Sequence, residues 1–291
     1  MAQHADDVAD DDWLGHRTDT GVAELLADDD RPGGWFLTLD RIAQSYVDLD
    51  DPAYLEFAYV QGFADAVDAV FPLPERLDVT HVGGGALTFP RYVLHTRPGS
   101  SQIVLEPDAA LTALVRQRLP LPRRSGIRVR PDDGRSGIAA LADSSADVIV
   151  LDAFAGGRVP AELTTVEALA DSSRVLRPTG LFLANIADQP PLDYTRRLVA
   201  GARSVFRHVL LRTETSVRKR RFGNVVVVAS NARLPTEQVL RRAQSAVEPI
   251  TVVTGLDLVR LAETAKPWTD ADRARSPRTP ELTWRIGEPR G

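Results

Sequence analysis

From about residue 77 onward, short apolar runs alternate with stretches of helical periodicity. That alternation predicts an α/β domain built on a mostly parallel sheet. The apolar runs predict strands over 78–82, 102–106, 126–130, 146–151, 180–185, 208–212 and 224–229. Helices are expected to begin near Thr88, Asp108, Ser136, Thr164, Leu192 and Thr236. Val148-Ile149-Val150-Leu151 and Val225-Val226-Val227-Val228 are continuous apolar runs, the pattern of strands buried on both faces. A polar stretch with no helical apolar face joins the last two strands, so they are expected to run antiparallel.

Upstream the pattern changes. Trp35-Phe36-Leu37-Thr38-Leu39 and Ile42-Ala43-Gln44-Ser45-Tyr46-Val47 flank Asp40-Arg41 and predict a β-hairpin, on a turn that lacks the usual glycine. Pro52 is expected to open a helix, with Leu55, Tyr59, Phe63, Ala66, Val67 and Val70 at helical spacing and Pro72 and Pro74 ending it. Residues 1–32 are rich in Asp and poor in large apolar groups. Such a segment buries too little surface to offset its ordering entropy, so a disordered acidic arm is expected, with one helical turn near Val22 to Leu26. An acidic interaction arm is its functional alternative. Past Lys266 the chain is rich in Pro and charge and reads as a flexible tail. The expected organisation is an arm (1–32), a hairpin and helix (33–74), a nucleoside-binding domain (75–265) and a tail (266–291).

Composition narrows the function classes. The 291 residues are 43% hydrophobic and carry a formal net charge of -5, which argues against a general nucleic-acid binder. No apolar run approaches the roughly 18 residues of a membrane span, and the N-terminus has no signal-peptide pattern. Cysteine is absent, and His4, His16, His81, His95 and His208 are scattered without metal-ligand spacing, so no metal site is expected. A cytoplasmic protein is the expectation, acting on a small molecule; a homodimer is left open.

Candidate chemistry gathers at strand ends. Gly83-Gly84-Gly85 closes the first strand of the α/β region, and Glu106 ends the next about twenty residues later. A glycine turn followed by an acid at the second strand tip is the layout of a nucleoside crevice, with the acid on ribose hydroxyls. Glu106 and Asp108 could each instead cap the following helix; the spacing favours ribose for Glu106 and the cap for Asp108. Asp133-Gly134 follows the third strand, either as a polar turn with a helix-capping acid or with a carboxylate beside a base. Asp152 ends the fourth strand ahead of a long loop over 153–160. Acids at successive strand ends would give an anionic crevice suited to a cationic sulfonium or amine. Asn185, Asp188 and Gln189 are further polar candidates. Arg218-Lys219-Arg220-Arg221 is a basic run that reads as a solvated loop or a phosphate contact.

These residues, from about Phe36 to Asn231, resemble the spermidine synthases, the polyamine aminopropyltransferases. Leu39-Asp40-Arg41-Ile42-Ala43-Gln44 is similar to that family's Leu-Asp-Gly-x-x-Gln hairpin, and Asp50-Asp51-Pro52-Ala53-Tyr54-Leu55-Glu56 to its Asp-Glu-x-x-Tyr-x-Glu segment. Gly83-Gly84-Gly85 resembles the start of its Gly-Gly-Gly-Asp-Gly turn, and Leu105-Glu106-Pro107-Asp108 its Glu-x-Asp. The resemblance implies a Rossmann-like seven-stranded sheet of the class I S-adenosylmethionine-dependent methyltransferase type, preceded by a small hairpin and helix. It further implies nucleoside contacts from Gln44, Gly83, Gly84, Gly85, Glu106, Asp133 and Gly134, an amine-pocket Tyr54 and a catalytic Asp152. The implied co-substrate is decarboxylated S-adenosylmethionine, or S-adenosylmethionine itself in a methyltransferase; a non-catalytic nucleoside-binding or oligomerisation module is the third alternative. Two departures stand out. Ala86 and Ala155 occupy positions where the family has acids that hold amines, so the amine half of the site is expected to be eroded.

Overall fold

The computed structural model describes residues 15–272 and 274–279. Four strands come first: β1 (His16–Arg17), β2 (Val22–Ala27), β3 (Gly34–Leu39) and β4 (Ile42–Asp48). Helix α1 (Ala58–Val70) leads into β5 (Asp78–Val82), α2 (Thr88–Thr96), β6 (Ser101–Leu105), α3 (Ala109–Arg118), β7 (Ile127–Arg130), α4 (Gly134–Ala139) and β8 (Ala146–Leu151). A 3-10 turn at Ala161–Leu163 precedes α5 (Val166–Val175), β9 (Leu176–Asp188), α6 (Asp193–Val205) and β10 (His208–Glu214). The chain continues through α7 (Thr215–Lys219), β11 (Gly223–Ser230), α8 (Thr236–Gln244), β12 (Ile250–Val253) and α9 (Gly255–Ala262).

Among the described residues the main sheet has eight strands, in the order β12-β10-β11-β9-β8-β5-β6-β7. Strands β5 to β9 are parallel, while β11 runs antiparallel to both β9 and β10. All seven strands expected from the sequence are present, and the reversed strand is β11 as expected. The eighth, β12, pairs antiparallel with the β10 edge; its four residues are too short a run to stand out in the sequence. The connection between β10 and β11 holds the short helix α7, whose Val217 is buried.

Both faces of the sheet are covered. Val225, Val227 and Ala229 of β11 join one core with Leu169, Leu198, Phe206 and Trp268. Val226 and Val228 join the opposite core with Val60, Phe63, Val67 and Phe89 of α1 and α2. Alternate residues of an apolar run thus meet different helices, which is why the run has no polar positions.

The N-terminal region departs from expectation. The hairpin is part of a four-stranded antiparallel sheet, β1-β2-β3-β4. Residues Val22 to Leu26 are strand, not helix, because β2 finds a ladder partner in β3 and buries Ala23 completely. Asp28, one of the acids that suggested disorder, serves as an anchor. Asp28 accepts the Tyr46 hydroxyl at 2.8 Å, and from the hairpin turn Asp40 fixes the same strand by accepting the Val22 amide at 3.0 Å. Residues 1–14, the rest of the expected arm, lie outside the described residues. At the hairpin tip Asp40 and Arg41 both take positive φ, 49° and 63°, the I′ conformation that fits strand twist. Pro52 does not open α1. The Asp48 carboxylate accepts the amides of Asp50 and Asp51, at 2.9 Å each, and folds this stretch into a turn. The segment after Lys266 is also not a free tail in its described part. Trp268 is buried beside Tyr194, with Arg197 stacked 3.3 Å over its ring.

Candidate functional site

A cavity of about 340 Å³ opens at the carboxyl edge of β5, β6, β8 and β9, where the N-terminal sheet, α1 and α2 approach it. It is lined by Gln44, Gly83, Gly84, Gly85, Glu106, Asp133, Gly134 and Asp152. With Asn185, which also lines it, the fold therefore brings together nine candidate residues singled out in the sequence.

The glycine turn fits closely against the next strand end. Gly83 has φ +96°, and a Cβ there would stand 2.2 Å from the Asp152 carbonyl oxygen. A side chain is excluded by both conformation and space. The Glu106 carboxylate accepts the Gly84 amide at 2.8 Å through one oxygen and the Asp108 amide at 3.0 Å through the other. It is held rigidly at the cavity wall, each oxygen keeping acceptor capacity for a ligand hydroxyl. Asp108 caps α3 through the Leu111 amide at 2.7 Å. Asp133 caps α4 by accepting the Ser136 amide at 2.9 Å, and Ser136 Oγ also donates to it. These Ser136 bonds hold the Asp133 carboxyl below its usual range.

Asp152 is the most perturbed acid of the site. Burial pushes its carboxyl up to about 6, opposed by hydrogen bonds from Asn185 and Tyr59. Asn185 Nδ2 donates to it at 3.0 Å, while the buried Asn185 Oδ1 has no partner among the described residues. Burial and the neighbouring Asp152 together raise the Tyr59 hydroxyl well above its ordinary value.

Tyr54, the residue expected at the amine side, is placed outside the cavity. Its hydroxyl donates to Glu56 at 2.7 Å and Arg31 lies 3.8 Å over its ring. Tyr59 lines the cavity instead. The missed signal is Tyr59-Val60-Gln61, which repeats the Tyr-x-Glu spacing with Gln in place of the acid. Asp188 is also elsewhere: it accepts the Thr195 amide and hydroxyl, both at 2.8 Å, and so steadies the start of α6. His81 and Phe89 line the cavity and were not singled out. A histidine within an apolar strand carries no pattern by itself.

A probable spermidine synthase of Corynebacterium glutamicum, known from a crystal structure, superposes with a TM-score of 0.83 at 30% identity, covering 88% of this chain and 95% of that one. This chain belongs to the spermidine synthase-like family. A polyamine aminopropyltransferase of Vibrio vulnificus is 26% identical over 187 residues, which are 62% of this chain and 60% of that protein's length. The spermidine synthase of Thermotoga maritima shares the fold, with a TM-score of 0.58 at 16% identity over 85% of this chain and 82% of that one. No protein-family model matches.

Against the family's pattern the two alanines differ from each other. Ala86 is fully buried among Leu37, Leu87 and Leu111, and its amide donates to Ser45 Oγ at 3.2 Å. Its side chain packs in the core and does not line the cavity. Ala155 is exposed on the loop after β8 and does line it. That loop is pinned from the C-terminal segment, where Ser276 Oγ accepts the Val159 amide at 2.8 Å and Thr279 N–H donates to Gly157 O at 3.1 Å.

Proposed function

We propose that the chain transfers an aminopropyl group from decarboxylated S-adenosylmethionine to an amine. The observation that carries this reading is Asp152, with a carboxyl near 6, in the same cavity as the glycine turn and Glu106. Glu106 would take the ribose hydroxyls, Gln44 and Asp133-Gly134 would border the nucleoside, and the close Gly83 turn lets the backbone approach it.

In the reaction the amine nitrogen attacks the methylene carbon bound to the sulfonium sulfur. The new C–N bond forms as the C–S bond breaks, and its electron pair stays on sulfur, giving neutral methylthioadenosine. The amine proton passes to Asp152 and then to solvent. A carboxyl near 6 is a better acceptor for that proton than an ordinary aspartate, and at neutral pH it is still mostly ionised. Tyr59 and Asn185 hold the carboxylate in place, so that most of the rate effect would come from orientation and exclusion of water.

A second reading is methyl transfer from S-adenosylmethionine. It is favoured by Ala86, whose place in the core leaves no acid there for an aminopropyl ammonium. Mass spectrometry after incubation with each sulfonium and a mixed amine pool separates the readings. An amine gaining an aminopropyl group, with release of methylthioadenosine, supports the first; methylated product supports the second. Binding of methylthioadenosine with neither product overturns both in favour of a non-catalytic module.

A further inference from the structure

Part of the cavity, a lobe, is lined by residues of the core on the α1–α2 side of the sheet. Its walls are Phe57, Tyr59, Phe89 and Val150, with the Phe57 and Tyr59 rings stacked at 5.9 Å. Its polar groups include Asp152, Asn185 and His81. Asn185 is 1% exposed, and because its Nδ2 must donate to the Asp152 carboxylate, its unpartnered Oδ1 is fixed in orientation. A buried acceptor left empty beside a carboxylate is a place for a ligand N–H.

His81 is a second acceptor. Gln102 Nε2 donates to Pro90 O at 3.0 Å, so Gln102 Oε1 faces His81 Nε2 at 2.9 Å and must accept from it. The imidazole proton is therefore on Nε2, and Nδ1 is left with its lone pair. Burial keeps the ring neutral by lowering its pKa to about 4. His81 thus adds hydrogen-bonding capacity but no charge.

The charge count of the lobe is what selects a substrate. Among the described residues the other acids lining the cavity lie elsewhere. Glu106 is tied to the glycine turn, Asp133 caps α4, and Glu162 stands on the 3-10 turn whose Leu163 belongs to the core on the opposite face of the sheet from α1 and α2. One ammonium finds Asp152 and Asn185. A second, at the far end of a linear diamine, would enter an aromatic and aliphatic wall with no opposite charge, which is costly.

We propose that the acceptor is a compact monoamine with an apolar or aromatic body, its nitrogen held between Asp152 and Asn185 Oδ1, and not a linear diamine. This rests on the transferase reading above for its chemistry, but its binding test does not.

Calorimetry of phenethylamine, butylamine, putrescine and cadaverine, each with and without saturating methylthioadenosine, tests it. Phenethylamine is expected to bind about tenfold or more tighter than putrescine. Equal or tighter binding of putrescine or cadaverine overturns the proposal. Asn185→Leu, checked for an unchanged melting transition, is expected to weaken phenethylamine by about tenfold. Unchanged amine affinity in a folded Asn185→Leu protein, or in Asn185→Ala should the leucine variant fail to fold, overturns it as well. The methylthioadenosine titration is read separately: its failure removes the transferase reading, while monoamine selectivity is judged from the amine titrations alone.

Discussion

The Asp108 carboxylate accepts the Thr20 hydroxyl at 2.6 Å and the Thr20 amide at 3.0 Å, across 88 positions of sequence. One oxygen thus ties the turn between β1 and β2 to the main domain, while the other caps α3. Burial alone would raise the carboxyl, yet the bonds from Thr20 and Leu111 hold it below its usual range. Thr20 also lines the cavity, so this helix cap braces one wall of the site.

Asp108→Ala therefore removes more than a cap. The cap contributes about 1 kcal/mol, and the buried charge-assisted bonds to Thr20 add about 1.5–3 kcal/mol. Urea unfolding should show a loss of about 3 kcal/mol. A loss of only a few tenths would mean that the tether is not formed in solution.

Glu106→Ala should act on ligand binding first, with a smaller cost to the fold from the Gly84 and Asp108 amides that lose their acceptor. On the proposed reading, removing the carboxylate takes away a rigid, charge-assisted acceptor for ribose hydroxyls. Calorimetry with methylthioadenosine should show a loss of at least tenfold, about 1.4 kcal/mol, exceeding any loss in Asp108→Ala. The opposite order would reverse the two assignments.

Asp152→Asn is expected to stabilise the unliganded protein and abolish transfer. The folded carboxyl is raised to about 6 from 3.8, so the native state holds its proton longer than the unfolded chain does. The penalty of ionising it is absent at low pH, grows as pH rises from about 4 to 6, and is complete above. Thermal melts at pH 7 should place the variant up to about 3 kcal/mol above the parent, with the gap closing toward pH 4. A pH-independent gap would refute the burial argument. Transfer by the parent should rise with pH through the Asp152 ionisation, shifted lower when the cationic sulfonium is bound.

His81 has the opposite sign. Its folded pKa is depressed from 6.5 to about 4, so its stabilising contribution is present above 6.5 and is lost as pH falls toward 4. In the parent this partly offsets the Asp152 effect over the same interval. His81→Leu should leave the remaining acid branch less steep by about one proton. An unchanged slope would mean that His81 is charged in the fold or exposed.

The two alanines should respond differently to an introduced acid. Ala86→Asp places a carboxylate among Leu37, Leu87 and Leu111 and should cost about 3 kcal/mol or more. Ala155→Asp, on an exposed loop residue, should be near neutral for stability and should raise putrescine affinity relative to phenethylamine. Folding of both variants with equal stability would overturn the placement of Ala86.

How the sequence and the structure divide the explanation follows from the range of the interactions involved. The seven principal strands, the glycine turn, and the acids Glu106, Asp133 and Asp152 at strand ends were legible, because strand burial and turn chemistry are set by neighbours within a few residues. The Asp108 cap was legible for the same reason, its partner Leu111 being three residues away. Strand β2 was not, because its Asp-rich flanks look disordered until Asp28 meets Tyr46 and Asp108 meets Thr20 across the fold. Trp268 looked like part of a tail until Arg197 and Tyr194 enclosed it. The exchange of Tyr54 for Tyr59 has the same origin: both sit in one aromatic-rich segment, and only the turn folded around Asp48 decides which ring reaches Asp152. The sequence by itself determined the sheet and the glycine turn and acids at its carboxyl edge. The tertiary structure decided the surroundings of Asp152, because the desolvation of its carboxyl, the Asn185 Oδ1 left without a partner among the described residues and the neutral ring of His81 each depend on groups distant in sequence.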